Sequence, residues 1–126
     1  MPVIVVSATA DPNPIRTIES PFDIEYEVKS SRFDSNLRAR AKFIIEDKEI
    51  GFVRPKGTVS SFTSEPFDVP EKGGVVTPPS ERSVNVQNKG DIPIRFKIIV
   101  EVQELDKSGK LTGAVSSATI NMKVGA

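Results

Sequence analysis

The stretch Ile92-Pro93-Ile94-Arg95-Phe96-Lys97-Ile98-Ile99-Val100-Glu101-Val102-Gln103 decides the fold class. Apolar side chains stand at every second position, Ile92, Ile94, Phe96, Ile98, Val100 and Val102, while Arg95, Lys97, Glu101 and Gln103 fill most of the gaps. A period of two sends the first set to one face of a sheet and the second set to water, so the segment reads as a half-buried β-strand. Pro93 brings no N–H to a ladder and fits only at the first residues of such a strand or at a bulge.

Outward from this segment the same grammar repeats. Towards the C-terminus, Asp106-Lys107-Ser108-Gly109 reads as a hairpin turn in which the glycine supplies a positive φ. A last strand then runs from Leu111 to Val124. Its inward set changes phase, from Leu111 and Val115 to Ala118, Ile120, Met122 and Val124, which predicts a one-residue slip near Ser116-Ser117. Arms of about 13 residues, roughly 40 Å at β rise, make this hairpin long enough to overhang the body of the fold.

Towards the N-terminus, Ser83 to Gln87 reads as a short strand, and Asn88-Lys89-Gly90-Asp91 as the turn into the long one. Before it, Glu65 to Glu81 holds Pro66, Pro70, Gly73, Gly74, Pro78 and Pro79 and reads as a long loop, a kind of segment that is often functional. Thr58 to Ser64 and Ile50 to Val53 read as strands, divided by Arg54-Pro55-Lys56-Gly57. Leu37, Ala39, Ala41, Phe43 and Ile45 alternate with Arg38, Arg40, Lys42, Ile44 and Glu46. Phe22, Ile24, Tyr26 and Val28 alternate with Asp23, Glu25, Glu27 and Lys29. The first strand, from Pro2 to Ala8, ends at Asp11-Pro12-Asn13-Pro14, where two prolines fix φ and remove donors. No window shows sustained apolar spacing at three and four residues, so helix content is expected to be small.

Seven or eight strands divided by turns in 126 residues predict an all-β fold: a single antiparallel β-sandwich over residues 1–126, with the long loop at 65–81 and a long C-terminal hairpin. The Val-rich opening with its Pro-x-Pro break, Phe22-Asp23-Ile24-Glu25-Tyr26-Glu27-Val28, and Val84-Asn85-Val86-Gln87-Asn88-Lys89-Gly90-Asp91 resemble immunoglobulin-like and fibronectin type III-like modules of bacterial surface or viral type. The resemblance implies a sandwich that works by contact. The chain lacks the cysteine pair and core tryptophan of antibody domains.

Composition narrows the chemistry. Seventeen Lys and Arg balance seventeen Asp and Glu, so no global field draws nucleic acid or an anionic membrane. Without cysteine there are no disulfides, thiolate nucleophiles or cysteine metal ligands. Without histidine, the usual general base near neutral pH, the serine-histidine-acid triad and histidine metal sites are missing. No cofactor is expected. A hydrolase would have to use Glu25 and Glu27, roughly 7 Å apart on one strand face, or Asp68 and Glu71; alternating acids on a wet face account for the first pair more simply. Asp106-Lys107-Ser108-Gly109 lacks the alternating oxygen ligands of a calcium loop, and Lys72-Gly73-Gly74 lacks the flanking strand and helix of a phosphate cradle. The apolar start, Met1-Pro2-Val3-Ile4-Val5-Val6, is too short for a membrane span or a secretory core, which predicts cytosolic synthesis, with a virion or cell-surface destination favoured.

Two binding readings remain. Met1 to Ala10 and Leu111 to Met122 carry no charge, and uncharged β-prone strands make poor free edges. Either the two ends lie against each other or another chain completes them. The second option makes the protein a non-enzymatic structural or assembly module, self-associating or decorating a virion, a filament or a cell surface. Its contacts would be Val3, Ile4, Val5 and Val6, the loop residues Phe67, Val69, Val75 and Val76, and Gly113, Val115, Ala118 and Ile120. The alternative is a polyanion- or glycan-binding module on a basic sheet face formed by Arg38, Arg40, Lys42, Arg95 and Lys97. Nucleic acid is disfavoured, because no exposed aromatics interleave these cations.

Overall fold

The computed structural model describes residues 3–31, 37–70, 74–88 and 95–125. Several expectations fall outside these residues: Met1-Pro2, Glu71-Lys72-Gly73, Lys89-Gly90-Asp91, and the Ile92-Pro93-Ile94 start of the long strand. The described residues form twelve strands and no helix. In chain order these are β1 (Val3–Asp11), β2 (Phe22–Ser30), β3 (Leu37–Ile44), β4 (Ile50–Arg54), β5 (Gly57–Val59), β6 (Ser61–Thr63), β7 (Phe67–Val69), β8 (Val75–Val76), β9 (Glu81–Val84), β10 (Val86–Asn88), β11 (Arg95–Leu105) and β12 (Leu111–Lys123).

All the paired strands are antiparallel and fall into three sheets. The first has the order β1-β2-β8, with β9 also on β2. The second has the order β12-β11-β3-β6, with β7 also on β3. A small third sheet, β10-β4-β5, sits beside them. The period-two pattern does what it predicts: Ile24, Tyr26 and Val28 of β2, Ala39, Ala41 and Phe43 of β3, and Ile98, Val100 and Val102 of β11 are buried in one cluster shared by the first two sheets. Each such side chain contributes about 1.5–3 kcal/mol by leaving water, except the alanines, which contribute less.

The strand count exceeds seven or eight because single predicted strands change sheets partway. Thr58 to Ser64 splits at Ser60 into β5, on β4, and β6, on β3. Ser83 to Gln87 splits at Asn85 into β9, on β2, and β10, on β4. The expected 65–81 loop is not without structure: β7 pairs with Leu37 to Ala39, and β8 pairs with Val28 and Lys29, so this segment carries the chain from the edge of one large sheet to the edge of the other.

The slip expected at Ser116-Ser117 is corrected to a place nearer the turn. Register between β11 and β12 is unbroken from Arg95↔Lys123 to Gln103↔Val115, and shifts only between Gln103 and Leu105. Gly113, at φ 93°, absorbs the extra residues on β12 in a conformation that costs glycine little. The Thr112 hydroxyl, beside it, donates to the buried Glu104 carboxylate at 3.0 Å. In consequence Leu111 is 52% exposed rather than inward, and Val115 sits opposite Gln103 on the outer face. The hairpin runs past β3 but not past the core: β3 accompanies β11 only from Ile99 to Leu105, leaving Arg95 to Ile98 paired with β12 alone, while Phe96, Ile98, Ile120 and Met122 stay buried in the core cluster.

Candidate functional site

The two charge-free ends meet. β1 and β12 belong to different sheets but run against each other, and the Val5 N–H donates to Ser116 Oγ at 3.1 Å. Beyond β1 the chain crosses to the edge of β12. Asn13 donates from Nδ2 to the Asn121 carbonyl at 2.9 Å and accepts from the Lys123 N–H at 3.1 Å. Ile15, fully buried, donates to the Lys123 carbonyl at 2.9 Å and accepts from the Gly125 N–H at 2.8 Å. Both edge strands are also bulged, β1 between Val5 and Ser7 and β12 around Gly113. Bulges and a strap of backbone thus guard edges that carry no charge between their ends, at residues 3–10 and 111–122.

This arrangement sorts the predicted contact residues. Val3, Val69 and Ile120 are buried in the chain's own core, and Val5, Phe67, Val76 and Ala118 are half-buried, Val5, Phe67 and Val76 against that core. Val115 is half-buried on the outer face, and Gly113 is exposed in its bulge. Three of the set come together, half-buried Ile4 with two exposed valines. Lys29 of β2 has Ile4 of β1 on one side and Val75 of β8 on the other, and Val6 stands in the adjoining bulge. Val6 and Val75 are 46% and 53% exposed, and the aliphatic stem of Lys29 joins the spot. The remainder of this outer face is acidic: Asp11 lies directly opposite Asp23, with Glu25 and Glu27 following on β2. Both glutamates are exposed.

The opposite outer face, on the β12-β11-β3 sheet, is basic. All five predicted cations lie on it, but they do not form one cluster. Arg38 is opposite Leu105 and 3.5 Å from Asp68. Arg40 donates through Nε to Gln103 Oε1 at 2.9 Å, and Gln103 Nε2 donates to Glu101 at 2.9 Å. Lys42 is opposite Glu101. Arg95 and Lys97 stand apart, past the end of β3, joined by a cation the sequence reading omitted, Lys123, directly opposite Arg95. A recess of about 410 Å³ lined by Arg95, Phe96, Lys97, Asn121, Met122 and Lys123 lies at this end.

Between the two basic groups lie Ile44 and Ile99, paired across β3 and β11 and half-buried. Sequence reasoning missed them as contact residues. Their signal was available, since both are isoleucines in the outward phase of otherwise polar positions.

On the side away from β1 and β12 the two large sheets close on rings. Tyr26 packs edge-on against Phe43 at 5.7 Å and Phe67 at 6.1 Å; Phe62 meets Phe43 at 5.0 Å and Phe52 at 4.8 Å, with the Arg54 guanidinium 4.2 Å above it. The Tyr26 hydroxyl is buried with no hydrogen-bond partner. Ser64 lies close enough to influence it, yet its own hydroxyl donates to the Glu65 carbonyl and accepts from the Ala41 N–H. Burial, with a smaller contribution from the Glu81 charge, pushes the phenol from 10.0 up to about 12, against a lowering from Ser64. Glu81 is itself raised by burial, against the attraction of Arg54. At the far hairpin, Asp106 Oδ1 accepts from Ser108 Oγ and from the Ser108 and Lys110 N–H groups, which holds its carboxyl below the usual range and makes the segment a turn.

No helix among the described residues is long and apolar enough to cross a membrane. No protein-family model matches this chain, and no curated protein matches it.

Proposed function

We propose that this chain is an immunoglobulin-like β-sandwich acting as a non-enzymatic structural or assembly module, which self-associates or decorates a larger body such as a virion, a filament or a cell surface. The strand order supports the fold reading: β2 lies between β1 and β9 in one layer, and β11 lies between β12 and β3 in the other, as first, second and fifth strands and third, sixth and seventh strands do in that architecture. On this reading β6, β7 and the small β10-β4-β5 sheet elaborate the edge of the sandwich.

The observation that carries the functional reading is the convergence of half-buried Ile4 and exposed Val6 of β1 with exposed Val75 of the distant β8 on one sheet face. Exposed valines gathered on an ordered face suit contact with another protein surface. The experiment is a native mass measurement across a concentration series, on the natural chain and on Val6→Asp/Val75→Asp. Mass growth with concentration that the double variant suppresses supports the reading. A chain that remains monomeric and does not co-sediment with particles from its source rejects it.

A second reading, polyanion or glycan binding, rests on Arg95, Lys97 and Lys123, which have no acidic partner among the described residues. Heparin retention lost on Arg95→Glu/Lys97→Glu supports it; retention unchanged by that variant rejects it.

A further inference from the structure

We propose that copies of this chain stack head to tail, the acidic outer face of the β1-β2-β8 sheet of one copy seating on the basic outer face of the β12-β11-β3 sheet of the next. This rests on the assembly reading above and names its partner as a second copy and its mode as face to face.

The charge count favours it. The first face carries Asp11, Asp23, Glu25 and Glu27 against Lys29 and the exposed Arg82. The second carries Arg38, Arg40, Lys42, Arg95, Lys97 and Lys123 against Glu101 and Asp68, and against Glu46 and Asp47, which line a recess with Lys97 and Ile99. A chain of zero net charge has therefore divided its charge between two opposite surfaces. Complementary potentials of this kind steer encounter and fix orientation.

Each face also keeps a like-charge pair directly across adjacent strands, Asp11↔Asp23 on one and Arg95↔Lys123 on the other. Such pairs destabilise an isolated sheet. No cation among the described residues forms an ion pair with either aspartate, and no acid forms one with Arg95 or Lys123. The acidic face of a neighbour, through Glu25, supplies countercharge to Arg95 and Lys123.

The apolar spots match in position. On the first face, Glu25 is four residues along β2 from Lys29, where Ile4 and Val75 flank the strand. On the second, Arg95 is four residues along β11 from Ile99, where Ile44 is the neighbour. Four residues span about 13 Å in each case, so one relative placement brings charge onto charge and isoleucine onto valine. Because the two faces look away from a common core, the contact does not close on itself, and repetition builds an open stack. A three- or four-stranded face is smaller than a standard interface of about 800 Å² per partner, so each contact is weak and the stack is sensitive to concentration and salt.

The test is sedimentation of the full chain over a concentration series at low and at high ionic strength, with two reversal variants at exposed positions, each checked for folding by circular dichroism. Glu25→Lys/Glu27→Lys reverses the acidic face and Lys97→Glu/Lys123→Glu the basic one. The inference expects mass to grow with concentration at low salt and to fall towards the monomer at high salt. It expects each variant alone to weaken association by about tenfold or more, and the equimolar mixture of the two to regain it, since each retains one native face. Self-association that neither reversal changes overturns face stacking while leaving the assembly reading intact. Loss with one reversal only indicates a two-fold contact through a single face and also overturns it. A monomer under every condition overturns the stacking inference, and co-sedimentation with source particles then decides the assembly reading separately.

Discussion

The two flanks of the layered fold are closed by different physics. Where β7 meets β2 and β6 meets β4, closure is by rings, with Phe67, Tyr26, Phe43, Phe62 and Phe52 in a continuous series of edge and tilted contacts. Where β1 approaches β12, small aliphatic and hydroxyl side chains predominate, and directed hydrogen bonds at Val5, Asn13 and Ile15 add to the burial of Val3, Ile15, Ile120 and Met122. Apolar burial needs no particular direction and scales with area, whereas a hydrogen bond gains little net energy but fixes one position. The ring flank should therefore carry stability, and the strapped flank should carry register and edge protection.

The largest expected effect breaks this comparison if it fails. Phe43→Ala removes a fully buried ring touching two others and is expected to cost about 3–5 kcal/mol in urea unfolding. A loss below that of any strap variant would show the flanks to be energetically alike.

Next comes the Tyr26 hydroxyl. The folded chain keeps its proton up to about 12, while the unfolded chain releases it near the ordinary 10.0, so stability falls as pH rises between these values. The loss is on the order of 2 kcal/mol. Tyr26→Phe removes an unpartnered buried hydroxyl and should equal or exceed the natural chain at neutral pH, with the alkaline decline abolished. Tyr26 is the only tyrosine, so its absorbance titration reports the same group directly.

On the strapped flank, Asn13→Ala deletes two hydrogen bonds to β12 and is expected to cost about 1–2 kcal/mol. Faster amide exchange at Lys123, with little change in the β2–β3 core, would sharpen the division; a uniform rise across both sheets would argue against it. Smallest is Ser116→Ala, expected at about 1 kcal/mol or less, its signature a newly exchanging Val5 amide.

Legibility follows the same division. The long alternations of β2, β3 and β11 were plain because nine, eight and eleven residues are enough to show a period of two. β6, β7 and β10 have three residues each and β8 two, too few to show any period, so Thr58 to Ser64 read as one strand and 65–81 as a loop. Asp11-Pro12-Asn13-Pro14 was rightly read as the end of a strand, but its second role as a strap depends on which strand lies beside it, and that strand comes over a hundred residues later. The absence of charge over residues 3–10 and 111–122 marked two strands that lie against each other, and left open which of their residues are covered. Val3, Val69 and Ile120, offered as contacts, are core, while Ile44 and Ile99 were visible only as exceptions in the polar phase.

The sequence by itself determined which side chains face in and which face out along each long strand, because backbone pleat couples position to face with no reference to distant residues. Only the tertiary structure decided that the charge-free ends guard one another, that Lys123 joins Arg95, and that acids and cations collect on opposite faces. Those outcomes depend on strand order and register, which arise when segments far apart in the chain compete to bury the same core.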